Sequence, residues 1–300
     1  MIDESIDMNP FWHWWQHLPE NMDPVILQIG SFRLQYYGLM YLVAFGMTYA
    51  LASYRIRKET RWKISQEHLQ GLLTAMIIGL VIGARLGYVL FYNLSYYIEH
   101  PLEIILPFSF KGGVHFTGIS GMSYHGGLIC AIAAAWWYIR KHNLGFREMA
   151  DLLIPCIPLG YTFGRIGNFI NGELWGRMTN VPWGMYFPSG GAELRHPSQL
   201  YEAFGEGILL FAVLWPLKNK TRITGAMLAL YLIGYGTVRF FIEYFRQPDE
   251  QFRQVGEKLG YVFLSFSMGQ LLCSAMIAAG ILLYFLLRRI EKHPGPRDSL

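Results

Sequence analysis

The sequence predicts an all-α integral membrane protein with about seven transmembrane helices, a small head outside the membrane and an N-terminal arm at the interface. Of its 300 residues, 53% are hydrophobic and only 15% are charged, whereas about 25% are charged in a typical soluble domain. Several apolar segments approach the roughly 20 residues that cross a bilayer. The predicted spans are residues 37–54, 69–92, 124–139, 152–170, 199–217, 225–244 and 267–287. We therefore treat residues 1–300 as a single polytopic membrane domain.

Basic residues between the spans predict the orientation of the chain. Short clusters of lysine and arginine follow the first, third, fifth and seventh spans. They are Arg55, Arg57, Lys58, Arg61 and Lys63; Arg140, Lys141 and Arg147; Lys218, Lys220 and Arg222; and Arg288, Arg289, Lys292 and Arg297. The positive-inside rule places all four clusters in the cytoplasm, with the N-terminus outside and the C-terminus inside. Because each cluster is short and adjoins an apolar span, we expect no nucleic-acid partner.

The first 35 residues form the predicted arm. Residues 11–15 combine three tryptophans with a phenylalanine and a histidine, a composition that favours the headgroup level of the bilayer. No basic region precedes an apolar core, so we expect no cleavable signal peptide. Residues 25–34 fit either a short strand or an interfacial loop. Tyr37, at the start of the first span, fits either an interfacial tyrosine or a residue that lines a cavity.

Three arginines lie within predicted spans: Arg85, Arg165 and Arg239. An arginine at membrane depth costs about 2.5 kcal/mol or more on insertion scales, and by default it marks a functional site. For Arg85, a structural ion pair within the helix bundle fits as well as a functional role. Glu202 and Glu206 lie on one face of the fifth span. We expect them to pair with the arginines, because a buried carboxylate needs a cationic partner.

The stretch from residue 160 to residue 176 is the centre of the predicted site. Its glycines reduce the side-chain bulk around Arg165, and small residues four apart allow a helix or a ligand to approach closely. These glycines are Gly160, Gly164, Gly167, Gly172 and Gly176. Arg165 and Asn168 share a helix face, and Asn171 and Glu173 follow them. The stretch thus predicts a cation, two amides and a carboxylate in one polar spot, and residues 171–198 form the predicted head.

Two other spans carry polar residues that we place on the same side of the membrane. Tyr235, Arg239 and Glu243 recur every fourth residue and so form one helix stripe. His125, at the outer end of the third span, is followed by two glycines that leave space beside its ring. A single histidine is more often structural than functional. Its predicted position on the side of Asn168 nevertheless favours a functional role.

These residues predict a pocket for an anion on the outer side of the membrane. The nearest abundant anion is a lipid phosphate, and the planar guanidinium of arginine can bind two phosphate oxygens at once. A lipid or anion transporter is the alternative. Its site would lie near the midplane, often between internal repeats, and the sequence shows neither feature. Cys130, Cys156 and Cys273 lack metal-ligand spacing, so we expect neither a metal nor a cofactor.

Five stretches carry a resemblance to a known family. They are residues 36–41 (YYGLMY), 123–127 (SYHGG), 164–173 (GRIGNFINGE), 195–202 (RHPSQLYE) and 243–249 (EYFRQPD). In this order they resemble the signature of the bacterial prolipoprotein diacylglyceryl transferases, over residues 23 to 289. Two features depart from the pattern: Tyr124 stands where the family commonly has phenylalanine, and the approach from Lys111 to Ser120 is longer than usual. Both affect the expected shape of that loop.

The resemblance implies an enzyme of the bacterial inner membrane whose outer side faces the periplasm. It implies transfer of diacylglycerol from phosphatidylglycerol to the lipobox cysteine in the signal peptide of a prolipoprotein. A thioether forms and glycerol 1-phosphate leaves. The nucleophile arrives with the substrate, so the enzyme needs no cysteine, metal or cofactor of its own. Its partners are then phosphatidylglycerol, the prolipoprotein and the surrounding membrane lipids.

We assign roles within this reaction as expectations. Arg165 and Arg239 bind the phosphate and stabilise the leaving group, with Asn168 as an amide donor. His125 is the expected base for the thiol, because histidine titrates near neutral pH. Glu243 orients Arg239 or positions the thiol. The remaining residues expected at the substrate site are Tyr37, Tyr235, Gly176, Arg85, Glu173 and Glu202, of which the two glutamates hold the other groups in place.

Overall fold

The computed structural model describes residues 9–30, 32–106, 108–109, 115–116, 121–247, 261–263 and 266–292. Its helices are α1 (Pro10–Gln16), α2 (Tyr36–Lys58), α3 (Gln66–Tyr92), α4 (Leu94–Glu99), α5 (Tyr124–Lys141), α6 (Phe146–Leu153), α7 (Ile157–Ile170), α8 (Ser198–Glu202), α9 (Leu210–Leu217), α10 (Ala226–Ile242) and α11 (Met268–Lys292). A π-helical segment, Ala203–Leu209, joins α8 to α9, and 3₁₀ turns cover Pro19–Asn21, Pro101–Ile104 and Ile154–Cys156. The fold is therefore mostly helical, as predicted.

Each of the seven predicted apolar segments coincides with one or two of these helices. Among the described residues, four helices are long and apolar enough to cross a membrane: Tyr36–Lys58, Gln66–Tyr92, Ser198–Leu217 and Met268–Lys292. The apolar helix Ala226–Ile242 is shorter. These helices confirm a multi-pass membrane architecture. The segment 152–170 is not one helix, because Pro155 and Pro158 mark a 3₁₀ turn between α6 and α7, and proline cannot donate a helical hydrogen bond.

The fold is not purely α-helical. Among the described residues, short strands form three separate two-stranded sheets. They are β1 (Val25–Ile29) with β2 (Phe32–Gln35), β3 (Phe108–Ser109) with β4 (His115–Phe116), and β5 (Tyr261–Phe263) with β6 (Phe266–Ser267). The alternative of a strand over residues 25–34 is thus confirmed as a hairpin. The others escaped prediction because two or three residues are too few to show a period-two pattern. The long approach to the SYHGG stretch lies outside the described residues over 111–114 and 117–120.

Side-chain caps begin several helices. Asn9 accepts a hydrogen bond from the Phe11 amide at 3.0 Å, and Pro10 occupies the first turn of α1, where its missing amide proton is no loss. Asp151 caps α10 from a distant part of the chain. Its carboxylate oxygens accept hydrogen bonds from the amides of Gly225 and Met227 at 2.7 and 3.0 Å. A carboxylate at this end also favours the helix dipole.

The chain divides into two compact units. One comprises residues up to 26, 35–48 and 150 onward, and the other comprises residues 27–34 and 49–149. Helices α3 and α5 pack together in the second unit along a seam of small residues. A Cβ atom on Gly83 would lie 2.4 Å from the carbonyl oxygen of Gly126, and one on Gly126 would lie 2.9 Å from Gly87. The absence of these side chains lets the two helices approach closely.

In the first unit, a hydrophobic cluster joins the arm to the segment 171–198. Phe169, Met185 and Phe187 form its buried centre. Partly buried residues from the arm and from the neighbouring segments pack around it: Trp15, Leu18, Met22, Trp175 and Leu200. The predicted head segment is therefore ordered by packing and by backbone pairing rather than by helices of its own.

Candidate active site

Two glycines bring three parts of the first unit together around a buried carboxylate. A Cβ atom on Gly205 would lie 2.8 Å from Val238 of α10, and one on Gly207 would lie 2.0 Å from Thr162 of α7. Glu206 stands between these glycines in the π-helical segment. Because neither neighbour has a side chain, α7 and α10 can approach this segment from two directions. π-Helical turns of this kind are frequent at functional sites.

Arg165 projects from α7 into this junction. Its Nε donates a hydrogen bond to the hydroxyl of Tyr161 at 2.6 Å and lies 2.8 Å from Oε2 of Glu202. Its Nη1 lies 3.3 Å from Oδ1 of Asn168. The Tyr161 hydroxyl in turn donates to Glu206. One face of α7 thus carries an arginine whose orientation is set by a tyrosine, an amide and a carboxylate.

Arg239 enters the same junction from α10. Its Nη1 lies 2.9 Å from Oε1 of Glu202 and 3.3 Å from Oε1 of Glu206. Its Nε lies 3.4 Å from Glu243, one helical turn further on. The expected pairing of Glu202 and Glu206 with the membrane arginines is therefore present. The expected role of Glu243 in orienting Arg239 is consistent with this geometry.

A third arginine, Arg246, completes the network. Its Nε lies 3.0 Å from Oε1 of Glu202, and its Nη1 lies 3.5 Å from Oε2 of Glu243. Glu202 is completely buried and contacts all three arginines, so it is the centre of the network. Ser267 supports the outer carboxylate, since its hydroxyl donates to Oε1 of Glu243 at 3.4 Å.

Three arginines meet three glutamates in this network, so its formal charges balance. The side chains of Arg165, Arg239 and Arg246 are 18%, 13% and 17% exposed, whereas Glu202 and Glu206 are fully buried. All side-chain hydrogen bonds that these arginines make within the described part of the chain come from Nε and Nη1. Their Nη2 groups make no hydrogen bond to this part of the chain. The carboxylates thus fix the guanidinium planes without using all their donors.

Amide and hydroxyl groups surround this network. Asn168 donates from Nδ2 to Oε1 of Glu173 at 2.7 Å, and Gln199 donates to the backbone carbonyl of Glu173 at 2.6 Å. Tyr37 packs over Gly167, where a Cβ atom would lie 3.4 Å from its ring. Its hydroxyl lies 3.0 Å from that of Tyr41 on the next helical turn. Glu173 therefore accepts a hydrogen bond from Asn168, and this contact is compatible with the role expected for Glu173.

Tyr235 also faces this region from α10. Its ring meets the ring of Tyr161 edge to face, with centroids 6.1 Å apart, and stacks on Tyr231 at 5.6 Å. Tyr235 and Arg239 therefore approach the α7 side of the network from the same helix stripe. This arrangement agrees with the predicted four-residue spacing.

Gly176 is packed against the backbone of Phe245 and His196 and does not border an open cavity at its Cα. Its amide donates to the carbonyl of His196 at 2.8 Å, and it pairs with Arg246 in an antiparallel bridge. A Cβ atom there would lie 2.4 Å from the Phe245 carbonyl oxygen. Nearby, burial lowers the pKa of the His196 imidazole below its ordinary value. Gly176 therefore positions the backbone beside Arg246.

The second unit holds the two remaining predicted residues. His125 lies in the first turn of α5, with an exposed ring 5.6 Å from that of Tyr124. Arg85 donates hydrogen bonds to the backbone carbonyls of Glu103, Ile104 and Gly121. Its guanidinium also lies over the ring of Tyr97 at 4.9 Å. These contacts with backbone carbonyls and with a tyrosine ring are compatible with the structural alternative for Arg85.

Sequence reasoning left three members of the network out of the predicted site: Tyr161, Glu206 and Arg246. Glu206 carried a usable signal, because Gly205 and Gly207 flank a carboxylate within an apolar span. Arg246 stood inside a recognised stretch but beyond the predicted end of its span. Tyr161 resembled any aromatic residue of a membrane helix, and only its contacts with Arg165 and Glu206 distinguish it.

This arrangement is suited to bind an oxyanion. Partly exposed arginines with oriented guanidinium planes can donate two parallel hydrogen bonds to a phosphate. Their buried carboxylate partners reduce the reorganisation required when negative charge develops. Removal of one such donor from a preorganised site typically costs about 10²–10³ in rate.

Comparison with known proteins identifies the family. A sequence model of the prolipoprotein diacylglyceryl transferases matches residues 24–286. A phosphatidylglycerol–prolipoprotein diacylglyceryl transferase of Chlorobaculum tepidum is 51% identical over 276 residues, which cover 91% of this chain and 93% of the relative. Relatives of the same name from Pseudoalteromonas atlantica (45% identity, 87% and 88% coverage) and Nitrosomonas europaea (44%, 91% and 92%) are also similar. The chain therefore belongs to the prolipoprotein diacylglyceryl transferase family.

Proposed function

We propose that this protein transfers the diacylglyceryl group of phosphatidylglycerol to a prolipoprotein, in the maturation of lipoproteins. Family membership and the names of its relatives support the reaction. The observation that carries the proposal for the site is the buried network in which Glu202 contacts Arg165, Arg239 and Arg246. It supplies oriented phosphate donors within an otherwise apolar bundle.

The reaction requires an electrophilic carbon and a good leaving group. The thiolate of the lipobox cysteine attacks the glyceryl carbon that carries the phosphate ester. A carbon–sulfur bond forms as the carbon–oxygen bond breaks, and the electron pair leaves with the oxygen of glycerol 1-phosphate. The Nη2 groups of Arg165 and Arg239 stabilise the phosphate as its charge increases. Asn168, held by Glu173, supplies a neutral donor.

His125 is the proposed acceptor of the thiol proton. Its ring is exposed and lies 5.6 Å from the ring of Tyr124. Histidine can take a proton near neutral pH, and general-base assistance contributes about 10²–10⁴ in rate. The nearby seam between α3 and α5 fixes the backbone of this turn. The amide of Ser123 donates to the carbonyl of Ala84 at 2.8 Å.

The proposal includes seven membrane crossings in the inner membrane of a bacterium, with the network on the periplasmic side. The four basic clusters support this orientation. Residues 171–198 then form a periplasmic head, and the signal peptide of the substrate approaches from the bilayer. A reporter fused after Arg289 should read as cytoplasmic, and one fused at residue 249 as periplasmic. The opposite result at either position would contradict this topology.

A product assay tests the function. Purified protein in phosphatidylglycerol vesicles is supplied with a peptide that contains a lipobox cysteine. We expect glycerol phosphate to be released together with a modified peptide. A transporter, the alternative use of an arginine-lined pocket, would move lipid between leaflets and break no bond. Lipid movement without glycerol phosphate would therefore contradict the proposal.

A further inference from the structure

Residues 9–22 of the N-terminal arm are docked on the head segment, residues 171–198, by specific contacts. They precede the region that the family model matches, which begins at residue 24. Gln16 is buried and donates from Nε2 to the Pro182 carbonyl at 3.0 Å. Trp15 donates from Nε1 to the Trp183 carbonyl at 3.0 Å. A free surface arm would not bury an amide side chain in this way.

The inner and outer faces of the arm differ sharply. Trp15 packs against the buried cluster of Phe169, Met185 and Phe187. Phe11 and Trp14 are 53% and 56% exposed. The neighbours Trp14 and Trp15 therefore form a matched pair, in which one side chain holds the arm to the head and the other does not.

A continuous series of backbone contacts leads from the arm to Arg246. The Tyr186 amide donates to the Gln16 carbonyl at 2.8 Å, and Met185 and Arg195 exchange two hydrogen bonds at 2.8 and 2.9 Å. The next step joins the 195–196 backbone to the 176–177 backbone: Gly176 donates to His196 at 2.8 Å, and His196 donates to Arg177 at 3.0 Å.

The last step reaches the site itself. The Arg177 amide donates to the Phe245 carbonyl, and its Nε donates to the Arg246 carbonyl, both at 2.8 Å. The Arg246 side chain then pairs with Glu202 at 3.0 Å. Every one of these contacts lies within the first unit, and Gly176, Met185 and Arg195 are buried. We call this series of hydrogen bonds the ladder. It runs from residues 9–22 to Arg246, which pairs with Glu202 at the centre of the network.

We propose that residues 9–22 act as a strap that positions Arg246, and through it Glu202, for binding of the lipid phosphate. The inference rests on the proposed function for its catalytic consequence. Detachment of the arm removes the partner of the 182–187 segment and loosens the ladder. A misplacement of about 1 Å at a reacting site can cost on the order of 10²-fold in rate, even when it originates far away. Arg246 is then a positioning residue that depends on the strap.

Substitutions of the matched tryptophans test this proposal. We expect Trp15→Ala to lower kcat/KM for phosphatidylglycerol by roughly 10- to 100-fold, and Trp14→Ala to change it by no more than about twofold. Gln16→Ala, which removes the bond to Pro182, should act in the same direction as Trp15→Ala and serves as the second variant if Trp15→Ala does not fold. Equal effects of the Trp14 and Trp15 substitutions would overturn the proposal.

A double-mutant cycle separates positioning from general stabilisation. If the strap acts through Arg246, Trp15→Ala should cause little further loss in an Arg246→Gln background, because coupled residues are not additive. The same fold-loss in both backgrounds would overturn the proposal.

If the wild-type protein transfers no diacylglyceryl group, the proposed function fails, and amide hydrogen exchange then tests the strap by itself. Faster exchange at both Tyr186 and Arg177 in Trp15→Ala, relative to Trp14→Ala, supports the strap. A change confined to Tyr186, or no change, overturns it.

Discussion

Oε1 of Glu202 lies 2.9 Å from Nη1 of Arg239, which is 37 residues further along the chain. This contact links the fifth predicted span to the sixth at a fully buried carboxylate. The same carboxylate also reaches Arg165 and Arg246. Glu202 neutralises charge on these arginines. More importantly, it holds three guanidinium groups together in one small volume. The network explains how an apolar bundle tolerates these cations and still presents them to an anion.

Glu202→Gln should destabilise the protein by about 3–5 kcal/mol, because a buried charge pair loses one partner while the cations stay buried. Thermal unfolding in detergent measures the effect as a lower Tm. Glu193→Gln is the matched control, since Glu193 is exposed in the head segment. If the two variants unfold at the same temperature, Glu202 is not the centre of the network.

Arg165→Lys should lower the rate of glycerol phosphate release by about 10²–10³-fold, as expected for loss of a preorganised donor. The charge remains, but lysine lacks the planar fork that binds two oxygens and that Tyr161 orients. The control is Arg57→Lys, because Arg57 is an exposed residue in the last turn of α2. Near-normal release by a stably inserted Arg165→Lys protein would remove Arg165 from the phosphate site.

His125→Asn should retain phosphatidylglycerol binding and lose about 10²–10⁴ in turnover, since asparagine approximates the size and polarity of the ring but cannot act as the base. The loss should shrink as pH rises, because a free thiol with a pKa of about 8.5 ionises without help. The measurement is a rate-against-pH profile of both proteins with one lipobox peptide.

The same profile distinguishes a structural role of His125. If the ring only holds the loop, lipid affinity falls as well and high pH rescues nothing. An equal fold-loss at every pH would exclude His125 as the base. Glu243, or the phosphate of the substrate, would then be the acceptor of the proton.

Gly176→Ala should impair folding, because its Cβ atom would lie 2.4 Å from the Phe245 carbonyl and 2.7 Å from the His196 carbonyl. Both are backbone atoms that cannot move without displacing Arg246. Gly46→Ala is the control, since nothing lies within 4 Å of a Cβ atom at this helical position, where alanine is favoured over glycine by about 0.5–1 kcal/mol. The yield of folded protein after detergent extraction compares the two. A normal yield of Gly176→Ala would contradict this packing.

Long apolar segments made most of the helices predictable, since their length and hydropathy are local properties of the sequence. The stripe of Tyr235, Arg239 and Glu243 was predictable for the same reason, because one helix sets its spacing. The contacts of Glu202 with Arg239 and Arg246 join residues far apart in the chain, so their residue types could be anticipated but not their geometry. Glu206 was underestimated because the signal of its flanking glycines was not used, and because the π-helical turn that places its side chain has no sequence pattern of its own.

The head and its strap were the least predictable parts. The aromatic composition of residues 11–15 indicated an interface. It did not show that Trp15 faces the head while Trp14 faces outward, because this division depends on where Pro182 and Trp183 present their carbonyl groups. The three carbonyl partners of Arg85 were also hidden, since backbone carbonyls carry no sequence signature.

Transfer of doubly labelled phosphatidylglycerol tests the central claim most directly. The lipid carries one label in the glycerol of its diacylglyceryl group and another in its phosphate, and it is incubated with purified protein and a lipobox peptide. The account predicts that the glycerol label moves to the cysteine, that the phosphate label appears in equal amount as free glycerol phosphate, and that a cysteine-to-serine peptide stays unlabelled. Phosphate label on the peptide, or both labels retained in the lipid, would contradict it.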